Sequence, residues 1–138
     1  MHVVRMILGA TAVETEATAI DEAEIPHLLR AFYARVRSDP LLGPVFNDAV
    51  EDWDDHLRRI GDFWSSVMFA SGRYKGNPVA MHLLHADRIT PAMFDRWLAL
   101  WAATTDELLS PAAAEAIQAK ALRIAESLKA VIHFTPAR

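Results

Sequence analysis

Six histidines, four tryptophans and no cysteine stand in a chain of 138 residues. The missing thiol removes disulfides, thiolate nucleophiles, Fe–S clusters and zinc–thiolate sites, together with the CxxCH attachment of a covalent haem. Chemistry must therefore come from imidazole, phenol, indole and carboxylate. His56 falls between Trp53 and Ile60 on the apolar face of a helical pattern, where a solvated side chain does not belong. It is either a core histidine satisfied by a neighbour or one that meets a ligand. Tyr33, beside Phe32, is either a core tyrosine bonded to a carbonyl or a hydroxyl kept for something bound. His82 and His85 form an H-x-x-H pair. Two imidazoles one turn apart can share a metal, although zinc asks for a third ligand. A single imidazole can instead hold a haem iron, and either residue can be an ordinary surface or capping histidine. Trp97 and Trp101 stand at core spacing, and a buried Trp97 indole N–H needs an acceptor. The chain has no GxSxG, P-loop, GxGxxG or HExxH signature. The acidic run Glu51-Asp52-Trp53-Asp54-Asp55 reads as a solvated helix N-terminus favoured by the helix dipole.

The elements that must position these residues all read as helices. Asp21 with Glu24 forms a capping box, and Ile25, Leu28, Leu29, Phe32 and Val36 make one apolar stripe behind it. Pro26 suggests a short first turn before the longer helix, and the Ser38-Asp39-Pro40 sequence stops it. Leu42-Gly43-Pro44 reads as a turn. The next helix spans about 52–70, with Trp53, His56, Ile60 and Phe63 on one face and Leu57, Trp64 and Val67 beside it. Gly61 in its middle costs about 1 kcal/mol against Ala, which points to a close helix crossing. Asn77-Pro78, Thr90-Pro91 and Ser110-Pro111 each pair a capping side chain with proline at the first helical position. They open a short helix over about 78–86 carrying His82 and His85, a second with Phe94, Trp97, Leu98 and Trp101, and a long one with Ile117, Ile124, Leu128 and Val131 or Ile132. No segment alternates with period two, so the fold class is all-α, with four longer helices and one short one.

Hydrophobic residues make up 52% and charged ones 23%, with five glycines and seven prolines, which excludes a disordered or collagen-like chain. A net charge of −4 argues against binding to nucleic acid or an anionic membrane. Residues 1–19 have no clear period and read as a loosely ordered N-terminal extension to a domain over 20–138. Arg5 interrupts the apolar start, and no stretch approaches the roughly 18 apolar residues of a membrane span. A cytoplasmic, single-domain protein is expected.

Four blocks in order then carry a resemblance: AFYARVRSDPLLGPVFN at Ala31–Asn47, DWDDHLRRIGDFW at Asp52–Trp64, YKGNP followed by His82, and MFDRWLALW at Met93–Trp101. Together they span about residues 20–132 and resemble the third group of truncated haemoglobins. The paired glycines of the first two groups are missing. The resemblance implies a shortened globin, a two-over-two helical sandwich around a b-type haem. It implies His82 as proximal iron ligand, with His85 its rival, and Tyr33, His56 and Trp97 as the distal residues. Phe46 would pack on the porphyrin, with Phe32, Ile60 and Phe63 lining the pocket. Arg59, or Arg58 in its place, would pair with a propionate. The implied ligands are O2, NO and CO, and the implied activities are ligand sensing, NO dioxygenation or peroxidase-like chemistry rather than transport. Any turnover would draw on an external reductase, in a monomer or weak homodimer. The competing class is a non-haem helical module, either metal-binding through His82 and His85 or an interaction domain.

Overall fold

The computed structural model describes residues 20–83 and 85–134, which form α1 (Glu24–Ser38), α2 (Gly43–Ala49), α3 (Trp53–Phe69), α4 (Pro78–Leu83), α5 (Pro91–Leu108) and α6 (Pro111–Phe134). The proposed N-terminal extension lies outside the described residues. The apolar stripe of α1 sinks entirely, with Ile25, Leu28, Leu29, Phe32, Tyr33 and Val36 all buried. It packs on α3 to one side and α5 to the other, while α5 pairs with α6 and α4 rests on α6. Two pairs, α1 with α3 and α5 with α6, thus stack as the all-α, two-over-two sandwich read from the sequence. Among the described residues no helix is long and apolar enough to cross a membrane.

The start signals act as their chemistry dictates. Asp52, Thr90 and Ser110 each accept a backbone N–H three residues on, at 3.1, 3.3 and 3.3 Å, and Pro91 and Pro111 follow the last two. The box before α1 forms by half: the Asp21 N–H donates to Glu24 Oε1 at 2.9 Å, but the Asp21 carboxylate turns to the Ala23 N–H. Helix α1 consequently begins at Glu24, and Pro26 falls in its first turn, where its missing N–H has no partner to lose.

Two expectations are corrected. The Leu42-Gly43-Pro44 turn runs on into helix α2, because Asp39 Oδ2 accepts the Leu41 and Leu42 N–H groups, each at 3.0 Å, and Pro44 suits a first turn. Helix α4 stops at Leu83, so His85 sits in the turn that follows, its N–H donating to the His82 carbonyl at 3.0 Å. The described helices therefore number six rather than five.

Asp39 ties this corner to α5. The residue is 6% exposed, and its carboxylate also accepts from Arg96 Nε at 2.7 Å. Burial pushes its pKa up, but the Leu42 N–H, the Arg96 guanidinium and the Leu41 N–H together hold it below the usual carboxylate value. The glycines divide by their surroundings. A Cβ on Gly43 would stand 2.7 Å from the Arg37 carbonyl oxygen, whereas one on Gly61 would meet Leu29 Cδ1 at 4.0 Å, ordinary contact. Gly61 sits at the α1–α3 crossing without being required by it. Gly61→Ala should raise stability by about 1 kcal/mol through helix propensity, and Gly43→Ala should lower it by about 1–3 kcal/mol through overpacking. Urea unfolding of the two variants checks both signs.

Candidate functional site

Helix α3 splits its apolar residues between two jobs. Trp64, Val67 and Met68 are buried in the core. Trp53, Ile60 and Phe63 pack against that core while only half-buried, as do Phe46 of α2 and Trp97 of α5. These aromatic and aliphatic faces gather around Tyr33. Its ring stands 5.9 Å from those of Phe46 and Trp53, 6.0 Å from His56 and 4.7 Å from Phe32. Phe32 in turn meets Trp97 edge-on at 5.3 Å. The structure thus brings together Phe32, Tyr33, Phe46, His56 and Trp97, with Ile60 and Phe63 further along the same face of α3.

Three polar groups face this apolar setting. The Tyr33 hydroxyl is buried, which raises its pKa, and a hydrogen bond from Trp97 lowers it only in part. The phenol accordingly stays protonated, a donor at any ordinary pH. His56 Nε2 is buried without a hydrogen-bond partner. Burial, then the Arg59 cation, hold the His56 pKa below its usual value; Asp55 pulls it back, and His82 adds a smaller push downward. His56 is therefore neutral at pH 7, and close enough to His82 to feel its charge.

His82 is the second deeply placed imidazole, and its pKa is lowered by burial, opposed by the bond to Pro78 and assisted by His85. Its Nδ1 lies 2.7 Å from the Pro78 carbonyl oxygen, one turn back on α4. A carbonyl only accepts, so Nδ1 carries the proton, and Nε2 keeps a free lone pair with the ring orientation fixed. His82, the fifth residue of α4, can make this bond because Pro78, the first, lies four residues back on the same face. His85, past the helix end, makes no such bond among the described contacts. No group of three or more metal-ligating side chains occurs among the described residues, so the H-x-x-H pair lacks the third ligand of a zinc site.

The two arginines divide clearly. Arg59 Nε pairs with Asp55 at 3.0 Å, and its charge reaches both His56 and Tyr74. Arg58 pairs with Asp55 and Asp62 and lines a separate groove of 320 Å³ between α1 and α3, with Asp54, Leu57 and Arg30. That groove takes in no other candidate residue. Two neighbours escaped the sequence reading. Trp53 stands 5.3 Å from His56 and carries the Arg37 guanidinium 4.6 Å from its ring. Tyr74 packs edge-on to Phe63 at 5.2 Å. Tyr74 opens the YKGNP block, and Trp53 shares the stripe of His56, so both were within reach of the pattern.

No known family profile matches the chain. A group 3 truncated haemoglobin of Campylobacter jejuni is 36% identical over 86 residues, covering 59% of this chain and 67% of that protein. The crystal structure of a group III truncated haemoglobin from Campylobacter jejuni superposes with a TM-score of 0.75 at 28% identity, over 87% of this chain and 97% of that one.

Both imidazoles titrate below the 6.5 of a free histidine in the folded chain. The unfolded state thus binds protons first as pH falls, and the stability held above pH 6.5 is lost as pH drops toward the folded values. The urea midpoint should fall between pH 7.5 and 5.5, and His56→Leu should flatten that dependence. An unchanged slope in the variant would show that His56 is not the titrating group.

Proposed function

Because the chain belongs to the group III truncated haemoglobins, we propose that it holds a b-type haem between α3 and α4 and binds O2, NO and CO there. The observation that carries this reading is a pair of desolvated imidazoles, His82 and His56, near enough for the charge of one to act on the other. His82 Nδ1 is anchored on Pro78 with Nε2 free, and the buried His56 Nε2 has no partner within the protein. A buried nitrogen left unbonded is rare and costs about 1–3 kcal/mol. A haem with a polar ligand fits these two groups, since it would take ligation from one imidazole and offer a polar partner to the other.

When bound, the haem supplies an iron that coordinates a diatomic gas reversibly. The residues of the chain do the rest. His82 Nε2, with its ring oriented by the Pro78 carbonyl, would hold the iron. The Tyr33 O–H would donate to a polar ligand in the site, and His56 would be a second donor from α3. The Trp97 indole can only donate and acts on the Tyr33 hydroxyl so as to lower its pKa, so the Tyr33 proton would stay available to the ligand. Phe32, Phe46, Ile60 and Phe63 would exclude water from the porphyrin, and Arg59, whose charge reaches His56 and Tyr74, would pair with a propionate. A pocket so rich in donors retains O2, which suits NO dioxygenation or ligand sensing better than transport. NO dioxygenation, in which NO, O2 and one electron give nitrate, would draw that electron from the haem and would need an external reductase to replace it.

Absorption spectra of the ferric, ferrous and ferrous–CO protein test the reading first. A Soret band that shifts with reduction and with CO, at about one haem per chain, supports it; a colourless chain that takes up no added hemin overturns it in favour of a non-haem module. His82→Ala should abolish haem retention unless imidazole is added, with His85→Ala unaffected, and the reverse result would make His85 the ligand. Tyr33→Phe should speed O2 release roughly ten-fold, the equivalent of a hydrogen bond worth about 1.4 kcal/mol, and change CO release far less.

A further inference from the structure

Three of the four tryptophans form one stacked column. Trp97 lies 5.5 Å from Trp101 with the rings 9° from parallel, and Trp101 lies 4.8 Å from Trp64 at 13°. The column begins at the candidate site, where Trp97 meets Phe32 edge-on at 5.3 Å and acts on the Tyr33 hydroxyl. It then passes through the interior, since Trp101 and Trp64 are 1% and 2% exposed. Phe63 continues it from Trp64 at 5.7 Å and touches Tyr74 at 5.2 Å, which is half-buried and so reaches solvent. Packing alone favours edge-to-face or offset contacts and sets no order of oxidisable rings. Here every oxidisable ring sits in van der Waals reach of the next, apart from the single phenylalanine bridge.

We propose that this column is a redox relay: it carries oxidising equivalents produced by a peroxide out of the site, through Trp97, Trp101 and Trp64, to Tyr74. The proposal rests on the haem reading above. Reducing HOOH to two waters takes two electrons and two protons. The electrons drawn from the haem are returned through the column one at a time: Trp97 gives an electron, Trp101 refills it, and Trp64 refills Trp101. Tyr74 then refills Trp64 and loses its hydroxyl proton to water, becoming a neutral phenoxyl radical. A one-electron reductant of the phenol or ascorbate class returns an electron and a proton to Tyr74.

The proton inventory fits this direction of travel. The Trp101 indole N–H donates to the Ile117 carbonyl at 3.4 Å, and a carbonyl does not take a proton outright. An oxidised Trp101 keeps its charge in a buried site, which favours passing the hole on rather than trapping it. Tyr74 touches water and can shed its proton, so the hole settles there.

The test mixes haem-loaded protein with hydrogen peroxide and reads the radicals by freeze-quench electron paramagnetic resonance, with peptide mapping of nitroso spin-trap adducts. The chain has two tyrosines, Tyr33 and Tyr74, so Tyr74→Phe resolves the tyrosyl signal. The relay predicts a tyrosyl signal that Tyr74→Phe removes, leaving adducts on the tryptophans instead. Trp64→Phe should cut Tyr74 adducts several-fold while adducts on Trp97 persist, with the Soret band confirming that the variant still binds haem. If Trp64→Phe does not fold, loss of the signal in Tyr74→Phe together with tryptophan adducts still supports the relay. Radicals confined to Tyr33 or absent, or Tyr74 adducts indifferent to Trp64, overturn the relay and leave the haem reading standing. A chain that takes up no haem overturns both.

Discussion

The ring of Phe32 is the point on which the remaining structure depends. It is fully buried, and it stands edge-on to Trp97 and Trp101, each at 86°. Trp64 then stacks on the far side of Trp101. Four side chains thereby lock α1, α3 and α5 together. Each such aromatic contact contributes about 0.5–1.5 kcal/mol beyond the area it buries, and their directional preference fixes how far each helix can rotate. Tyr33 follows Phe32 in sequence and Trp97 sits one turn before Trp101. Locking the first member of each pair therefore aims the second.

The polar anchors sit at the edge of this aromatic block. Asp39 carries three hydrogen bonds that join the end of α1, the start of α2 and the middle of α5 next to Trp97. A carboxylate so deeply buried is tolerable only when its lone pairs are filled, and here they are. The same reasoning explains the His82–Pro78 bond, which satisfies one ring nitrogen inside a six-residue helix that has little other means of fixing a side chain. Precision at the site comes from rigid neighbours on α1, α3 and α5, whereas α4 contributes its histidine through one local bond.

Most of the scaffold was legible because its signals are local. A stripe at helical spacing defines α1, and capping residues set the starts of α3, α5 and α6, as hydrogen bonds within three residues decide them. Helix α2 was not legible, because its existence depends on the Asp39 carboxylate collecting two N–H groups and an arginine 57 residues away. The end of α4 carries no glycine or proline stop, so the pattern ran on to His85. Of the site, Tyr33, Phe46, His56 and Trp97 were readable as a group through the four blocks of resemblance. Their contacts were not: that Trp97 acts on the Tyr33 hydroxyl, or that Trp53 meets both His56 and Arg37, depends on how the helices cross.

The unpartnered nitrogen of His56 is the counterpart of this rigidity. Trp97 acts on the Tyr33 hydroxyl, and His82 bonds to its own helix, so each has a partner for its polar group within the protein. His56 alone among these is left with a buried nitrogen and nothing to meet it. Trp53 and Tyr33, themselves 5.9 Å apart, both meet its ring edge-on, at 5.3 and 6.0 Å. The aromatic frame therefore holds an unsatisfied group in place, at a cost the packing offsets. A polar ligand arriving there finds a nitrogen already desolvated, so the desolvation that ordinarily weakens binding has been met during folding.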